Sequence, residues 1–138
     1  MRRWFMRRAD APRDVSEELT RAVVIAESHD ETAASSTVLA AAGLIDPAER
    51  LLRLLVFLPA AQVPGVIERC ASEDYVPAPA LASDPPAPAG LVAVALARVQ
   101  PIDARRVSQE RSLLSSIAAR VGGTVGGWAV LDVADPGR

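Results

Sequence analysis

Leu51-Leu52-Arg53-Leu54-Leu55-Val56-Phe57-Leu58 runs straight into Pro59. Seven of these eight residues are apolar, and only Arg53 interrupts them. A strand of this kind is apolar on both faces and belongs in the middle of a sheet. A second run of the same character, Leu91–Val99, carries one charge, Arg98. Two such strands predict an adjacent, antiparallel central pair. Between them, Ala61–Ser72 reads as a helix with Val63, Ile67, Cys70 and Ala71 on one face. Pro64 is tolerated there only in the first turn. Tyr75–Leu81 holds Pro77 and Pro79, which cannot donate to a ladder, so it is an edge strand or no strand. Ala82–Ala89, with Pro85, Pro86 and Pro88, reads as a loop.

Downstream, Asp103 offers an N-cap to a helix reaching about Val121, with Val107, Leu114, Ile117, Ala118 and Val121 as its apolar face. Gly122-Gly123 closes it, and Thr124–Val133 reads as the last strand. The order from residue 50 to about 133 is therefore strand, helix, strand, strand, helix, strand. That order predicts an α+β fold, a ferredoxin-like βαββαβ antiparallel sheet with both helices on one face. The central strands are apolar on both sides, so the other face needs a cover. The candidates are the N-terminal helical segments or a second subunit.

Upstream, Asp14 and Glu17 have capping-box spacing. Val15, Leu19, Ala22, Val23 and Ala26 follow at helical intervals, so residues 14–27 read as a helix. Ala22-Val23-Val24-Ile25-Ala26 within it also suits a strand. Glu31–Ala42 reads as a short helix stopped by Gly43. These segments form an N-terminal helical extension. Residues 14–138 make one domain, preceded by a basic arm at 1–13 and ending in a frayed tail, Asp135–Arg138.

The chain has 138 residues, half of them hydrophobic, and a formal net charge of −2. This size allows a real core without disulfides or metals, and the composition excludes disordered, collagen-like and disulfide-scaffold classes. All 15 basic residues are Arg, a coding bias rather than a function. The arm carries five Arg and one Asp, so the rest of the chain is acidic. An acidic body argues against direct nucleic-acid binding. The arm, with Trp4 and Phe5 among its cations, could still touch an anionic surface. A single cysteine forbids an intrachain disulfide, and neither a secretory h-region nor a membrane-length apolar run is present. The expectation is a cytoplasmic protein without a transmembrane segment.

The residues that could carry chemistry are few. His29, the one histidine, lies in a polar stretch beside Asp30 and Glu31 and reads as a surface side chain. Cys70 sits on an apolar helix face near Glu68, Glu73 and Asp74, where a thiolate is disfavoured. One His and one Cys do not make a zinc site of the usual type. Gly122–Gly127 is glycine-rich but follows a helix and enters a strand, opposite to a phosphate loop. The expectation is no catalytic residues, no metal and no cofactor. Trp128, after Gly126 and Gly127, has two readings. It lies back on the sheet as core, or it serves with the glycines as a partner-binding anchor.

The last helix and strand, Asp103-Ala104-Arg105 through Leu114 and Ile117-Ala118 to Gly122-Gly123-Thr124-Val125-Gly126-Gly127-Trp128, resemble the RraB family of ribonuclease E regulators. Those sequences end in a helix leading to a tyrosine–aspartate–glycine–tryptophan stretch. Gly127 and Trp128 match it, while Val125 and Gly126 stand at its tyrosine and aspartate. The likeness spans about residues 33–133 and includes the helix ending at Gly43, Ile45-Asp46-Pro47 and the first apolar strand. It implies a non-enzymatic regulator that binds ribonuclease E or a degradosome component and modulates RNA decay, with Trp128, Gly127 and Gly126 as contact positions. The alternative is a small-ligand-binding or self-assembling module of the same architecture, with a homodimer possible.

Overall fold

A computed structural model describes residues 14–133; the expected arm, 1–13, and the tail lie outside the described residues. The described chain is α+β, with one five-stranded antiparallel sheet. Its elements are α1 (Val15–Leu19), β1 (Ala22–Ser28), α2 (Ser35–Ala41), β2 (Glu49–Leu58), α3 (Val63–Ala71), β3 (Val76–Ala78), β4 (Val92–Pro101), α4 (Ala104–Arg120) and β5 (Thr124–Val133). A single 3-10 turn, Ala60–Gln62, leads into α3. The strand order is β1-β5-β2-β4-β3.

The two apolar runs are neighbours, as their pattern predicts. β2 pairs antiparallel with β4 from Glu49 opposite Pro101 to Leu58 opposite Val92, and neither lies at an edge. β3 is the short outer strand expected of a proline-containing segment. It contributes three residues, with Pro77 in the middle. The Asp103 carboxylate caps α4 by accepting from the Arg106 N–H at 2.8 Å. Gly43 stands at φ +75 just past α2, a left-handed position that glycine adopts without strain. Ala71, expected on the buried face of α3, is exposed, and Val66 is buried there with Cys70.

The main correction lies upstream. Residues 14–27 are not one helix. Asp14 caps a helix of only five residues, its carboxylate accepting from Glu17 N at 3.1 Å. The chain then turns at Thr20–Arg21 and enters β1, which pairs antiparallel with β5. The reason is the run Ala22-Val23-Val24-Ile25. β-Branched residues lose little in an extended chain and more in a helix, and the open side of β5 supplies a ladder. The helical extension is thus partly a fifth strand.

α2, α3 and α4 pack on one face of the sheet. Leu52, Leu54, Val56 and Leu58 of β2, Leu96 of β4 and Trp128 and Val130 of β5 form the main core with Val66, Cys70, Val107, Leu114 and Ile117 of the helices. The opposite face is covered within the same chain. Near one end Leu19 of α1 joins Leu51, Ala97, Ala129 and Leu131. Near the other, Ala87 and Leu91 of the proline-rich loop pack on Leu55, Phe57 and Ala95. α1 is therefore one of the expected covers, and the loop is a second that the sequence did not reveal. None of the described helices is long and apolar enough to cross a membrane.

Candidate functional site

β5 carries a bulge where it passes β2: Leu55 faces Gly127 and Val56 faces Val125, leaving Gly126 as the extra residue. A bulge bends the strand and re-aims the side chains beyond it. Two residues beyond the bulge stands Trp128, whose indole turns to the helix-covered face and is 3% exposed. Both glycines are explained by what lies against them. A Cβ on Gly126 would come within 2.6 Å of the Phe57 ring, and one on Gly127 within 2.5 Å of His29 Cδ2 and 2.8 Å of the Ser28 carbonyl. Gly127 also has φ +141, which side-chain-bearing residues rarely adopt. Trp128 is core, while Gly126 and Gly127 beside it are half-buried.

Arg111 of α4 stands over the indole, its guanidinium carbon 5.8 Å from the ring centroid. Its Nη1 donates to Ser35 Oγ at 2.8 Å and to the Ala33 carbonyl at 3.4 Å, and its Nη2 to the Glu31 carbonyl at 3.3 Å. One side chain therefore ties α4 to the β1–α2 loop. Between that loop, the bulge and α4 lies a cavity of about 40 Å³, with His29, Leu54, Arg111, Leu114, Gly127 and Trp128 in its wall. The buried Trp128 Nε1 has no hydrogen-bond acceptor. Outside it, a wider groove of about 590 Å³ follows Ser108, Ser112, Ser115 and Ser116 of α4, and Arg111 and Val125 border both spaces.

The candidate chemical groups are placed as follows. His29 is exposed, with Nε2 3.8 Å from Glu27 Oε1. Cys70 is fully buried, and burial pushes its thiol pKa up, Arg69 and Glu73 acting in opposite senses; it packs the core. The two do not meet at a common site. Among the described residues no group of three or more His, Cys, Asp or Glu side chains could hold a metal.

Two polar clusters were not legible in the sequence. Arg53, the lone charge of β2, is buried with Asp84: Nη1 and Nη2 donate to the two carboxylate oxygens at 2.9 and 2.7 Å. Nη2 also donates to the Pro79 carbonyl at 2.8 Å, and Leu81 N donates to the same carboxylate. Burial raises the Asp84 pKa, but the Arg53 and Leu81 hydrogen bonds and the Arg53 charge outweigh it, and the net shift is downward. On the other face Tyr75 donates to Glu110 Oε1 at 2.6 Å, and Arg98 pairs with Glu110 at 3.0 Å while lying 5.0 Å from the Tyr75 ring centroid. Burial, first, and then Glu110 hold the phenol pKa far above its usual value. Both clusters join distant segments and present no nucleophile–base pair. A single charge in an apolar strand was the visible signal for Arg53 and Arg98; their partners lie 31 and 12 residues away.

No protein-family model, curated protein or solved structure matches the chain.

Proposed function

We propose that this domain is a non-enzymatic, protein-binding regulator, resembling the RraB inhibitors of ribonuclease E in architecture and mode of action. The partner, by that resemblance, is ribonuclease E or a degradosome component. The strand order β5-β2-β4-β3, with α3 and α4 as crossovers, supports a ferredoxin-like unit with β1 added at its side. The reading also draws on α4, which precedes the strand carrying Gly126-Gly127-Trp128.

The observation that carries the reading is the open stretch of β4. β3 covers only Ala95–Ala97, so Val92, Ala93 and Val94 have a strand neighbour on the β2 side alone. Val92 is 41% exposed. A cleft of about 220 Å³ runs beside this stretch, walled mainly by apolar residues such as Val63, Ile67, Ala93 and Val94, with Arg53 and Asp84 also lining it. An open edge offers unpaired backbone groups to an extended segment, and apolar walls supply side-chain pockets. A strand of the partner would continue the line of β3.

The test is a titration of ribonuclease E with the full chain, following both binding and RNA cleavage, for wild type and Val92→Lys. Wild type should bind and slow cleavage. The lysine should weaken binding at least about thirtyfold, a hot-spot-sized loss. Undiminished binding by Val92→Lys overturns the docking edge, and no binding by wild type overturns the choice of partner. A second reading, a ligand-responsive module, draws on the cavity beside Trp128.

A further inference from the structure

The open stretch of β4 can be approached from both faces of the sheet. Residues directly opposite one another on paired strands share a face. Val92 and Val94, opposite Leu58 and Val56, therefore belong to the helix-covered face. Ala93, opposite Phe57, belongs to the loop-covered face. The cleft beside them divides in the same way. Val63 and Ile67 of α3 wall it on the helix side, and Leu55, Ala78 and Ala95 on the loop side. Arg53 and Asp84, which also line the loop side, are already paired with each other. Successive side chains of a strand point to opposite faces. A strand laid along this edge thus buries consecutive apolar residues rather than alternating ones, and the small alanines leave its middle residue room for a large side chain.

The chain carries such a run in its arm, outside the described residues. Trp4-Phe5-Met6 is the one apolar triple there, and it matches the three open residues Val92–Val94 in length. Arg2, Arg3, Arg7 and Arg8 flank it. The rest of the chain is acidic, and α3, which packs on β3 and β4, brings negative charge to this edge: Glu68 of α3 and Asp74 just before β3 are exposed. The arm also joins the described chain on this side. α1 packs on β3 and β4, and Val15 belongs to the same apolar cluster as Val76 and Ala78. From Ala97, opposite the start of β3, to Ala93 is roughly 13 Å along the strand. The residues from Met6 to Asp14 can span roughly 26–29 Å, so the triple reaches the open stretch with slack.

We propose that Trp4-Phe5-Met6 of the arm pairs with Val92–Val94 as a short strand in line with β3. Whichever direction the segment runs, Phe5 stands opposite Ala93 and enters the loop side of the cleft, while Trp4 and Met6 lie on the helix side toward Val63 and Ile67. The arm is then the cover of an edge that would otherwise stand open to any extended chain, and a partner strand has to displace it. Docking of the arm needs no partner, so it stands or falls separately from the regulator reading.

The experiment compares the full chain with its Phe5→Asp variant by NMR. In the wild type, nuclear Overhauser contacts should join the Phe5 ring to the Ala93 and Ala95 methyl groups and persist on dilution. Those of the Val92, Ala93 and Val94 amides that point away from β2 should exchange with deuterium at least about tenfold faster in Phe5→Asp, the loss expected when one aromatic side chain is no longer buried. Amides of the same stretch bonded to β2 should keep their rates. Shift differences between the two proteins should centre on Val92–Ala95, Val63 and Ile67. Three results overturn the proposal: no contact between Phe5 and either alanine, exchange rates equal in the two proteins, or shifts centred elsewhere. Contacts that vanish on dilution overturn it as well, since they make a second copy the donor of the arm. The wild-type contacts decide the matter even if Phe5→Asp does not fold.

Discussion

The two faces of the sheet are closed by different means. Under α2, α3 and α4 the strands present Leu52, Leu54, Val56, Leu58, Leu96 and Trp128, long side chains that fill the space a helix leaves above a sheet. On the opposite face β4 presents Ala93, Ala95 and Ala97, and β5 presents Ala129. There the cover beyond α1 is a loop, whose Ala87 and Leu91 pack on Leu55, Phe57 and Ala95. A covering loop brings polar backbone groups that must be paired or solvated. This one carries Pro79, Pro85, Pro86 and Pro88, which have no N–H to bury. Its Pro79 carbonyl and Leu81 N–H are met by Arg53 and Asp84. A helix satisfies its own backbone and asks only for apolar volume, whereas a loop asks for a charge pair as well.

The comparison breaks most sharply when one member of the polar clamp is removed. Asp84→Ala leaves Arg53 buried and unpaired, which should cost about 3–5 kcal/mol. Trp128→Ala on the helix-covered face should cost a similar ~3–5 kcal/mol through lost volume. Urea melts separate the two causes. Replacing both partners, Arg53→Met with Asp84→Leu, should recover most of the loss, whereas no companion of Trp128→Ala will. A double variant as unstable as Asp84→Ala alone would show that the loop is not held by this pair.

Two glycine substitutions should move in opposite directions. Gly126→Ala drives a methyl into the Phe57 ring beneath the loop-covered face, and should cost about 1–3 kcal/mol by overpacking. Gly65→Ala, in α3 with nothing within 4 Å of the new methyl, should add roughly 0.4–1 kcal/mol. Equal effects in thermal melts would mean that the Phe57 side chain yields easily and the face is loosely packed.

Acid should loosen the loop-covered face first. The folded-state pKa of Asp84 lies below its unfolded value of about 3.9. The clamp's contribution is thus complete above that value and is lost as pH falls through the folded pKa. The stability difference between wild type and the Arg53→Met, Asp84→Leu variant should shift in favour of the variant as pH drops below about 4. A difference independent of pH across that range would remove Asp84 from the account. The smallest effect belongs to the open edge: Val92→Lys should change stability by no more than about 0.5 kcal/mol, whatever it does to binding.

Much of the sheet was legible because its signals are local. Two-sided apolar runs give β2 and β4, prolines give the weak edge strand, and Asp103 and Gly122-Gly123 bracket α4. The candidate site was legible only in part. Gly126, Gly127 and Trp128 drew notice as an unusual strand sequence, but no local signal singled out Arg111. Its partners, Glu31 and Ala33 of the β1–α2 loop and Ser35 at the start of α2, lie 76 to 80 residues away.

The sequence by itself determined which segments are central strands, where α4 begins and ends, and that the second face of the sheet needed a cover. Local periodicity, caps and proline restrictions act over a few residues and can be read without coordinates. Only the tertiary structure decided that Ala22–Ser28 is a strand, because its side chains suit either state and the ladder of β5 tips the balance. Only the tertiary structure decided that the proline-rich loop is the cover, because a loop has no period to betray what it packs on. The same holds for Arg53, a lone charge among leucines whose meaning depends on a carboxylate 31 residues away that folding brings to within 2.7 Å.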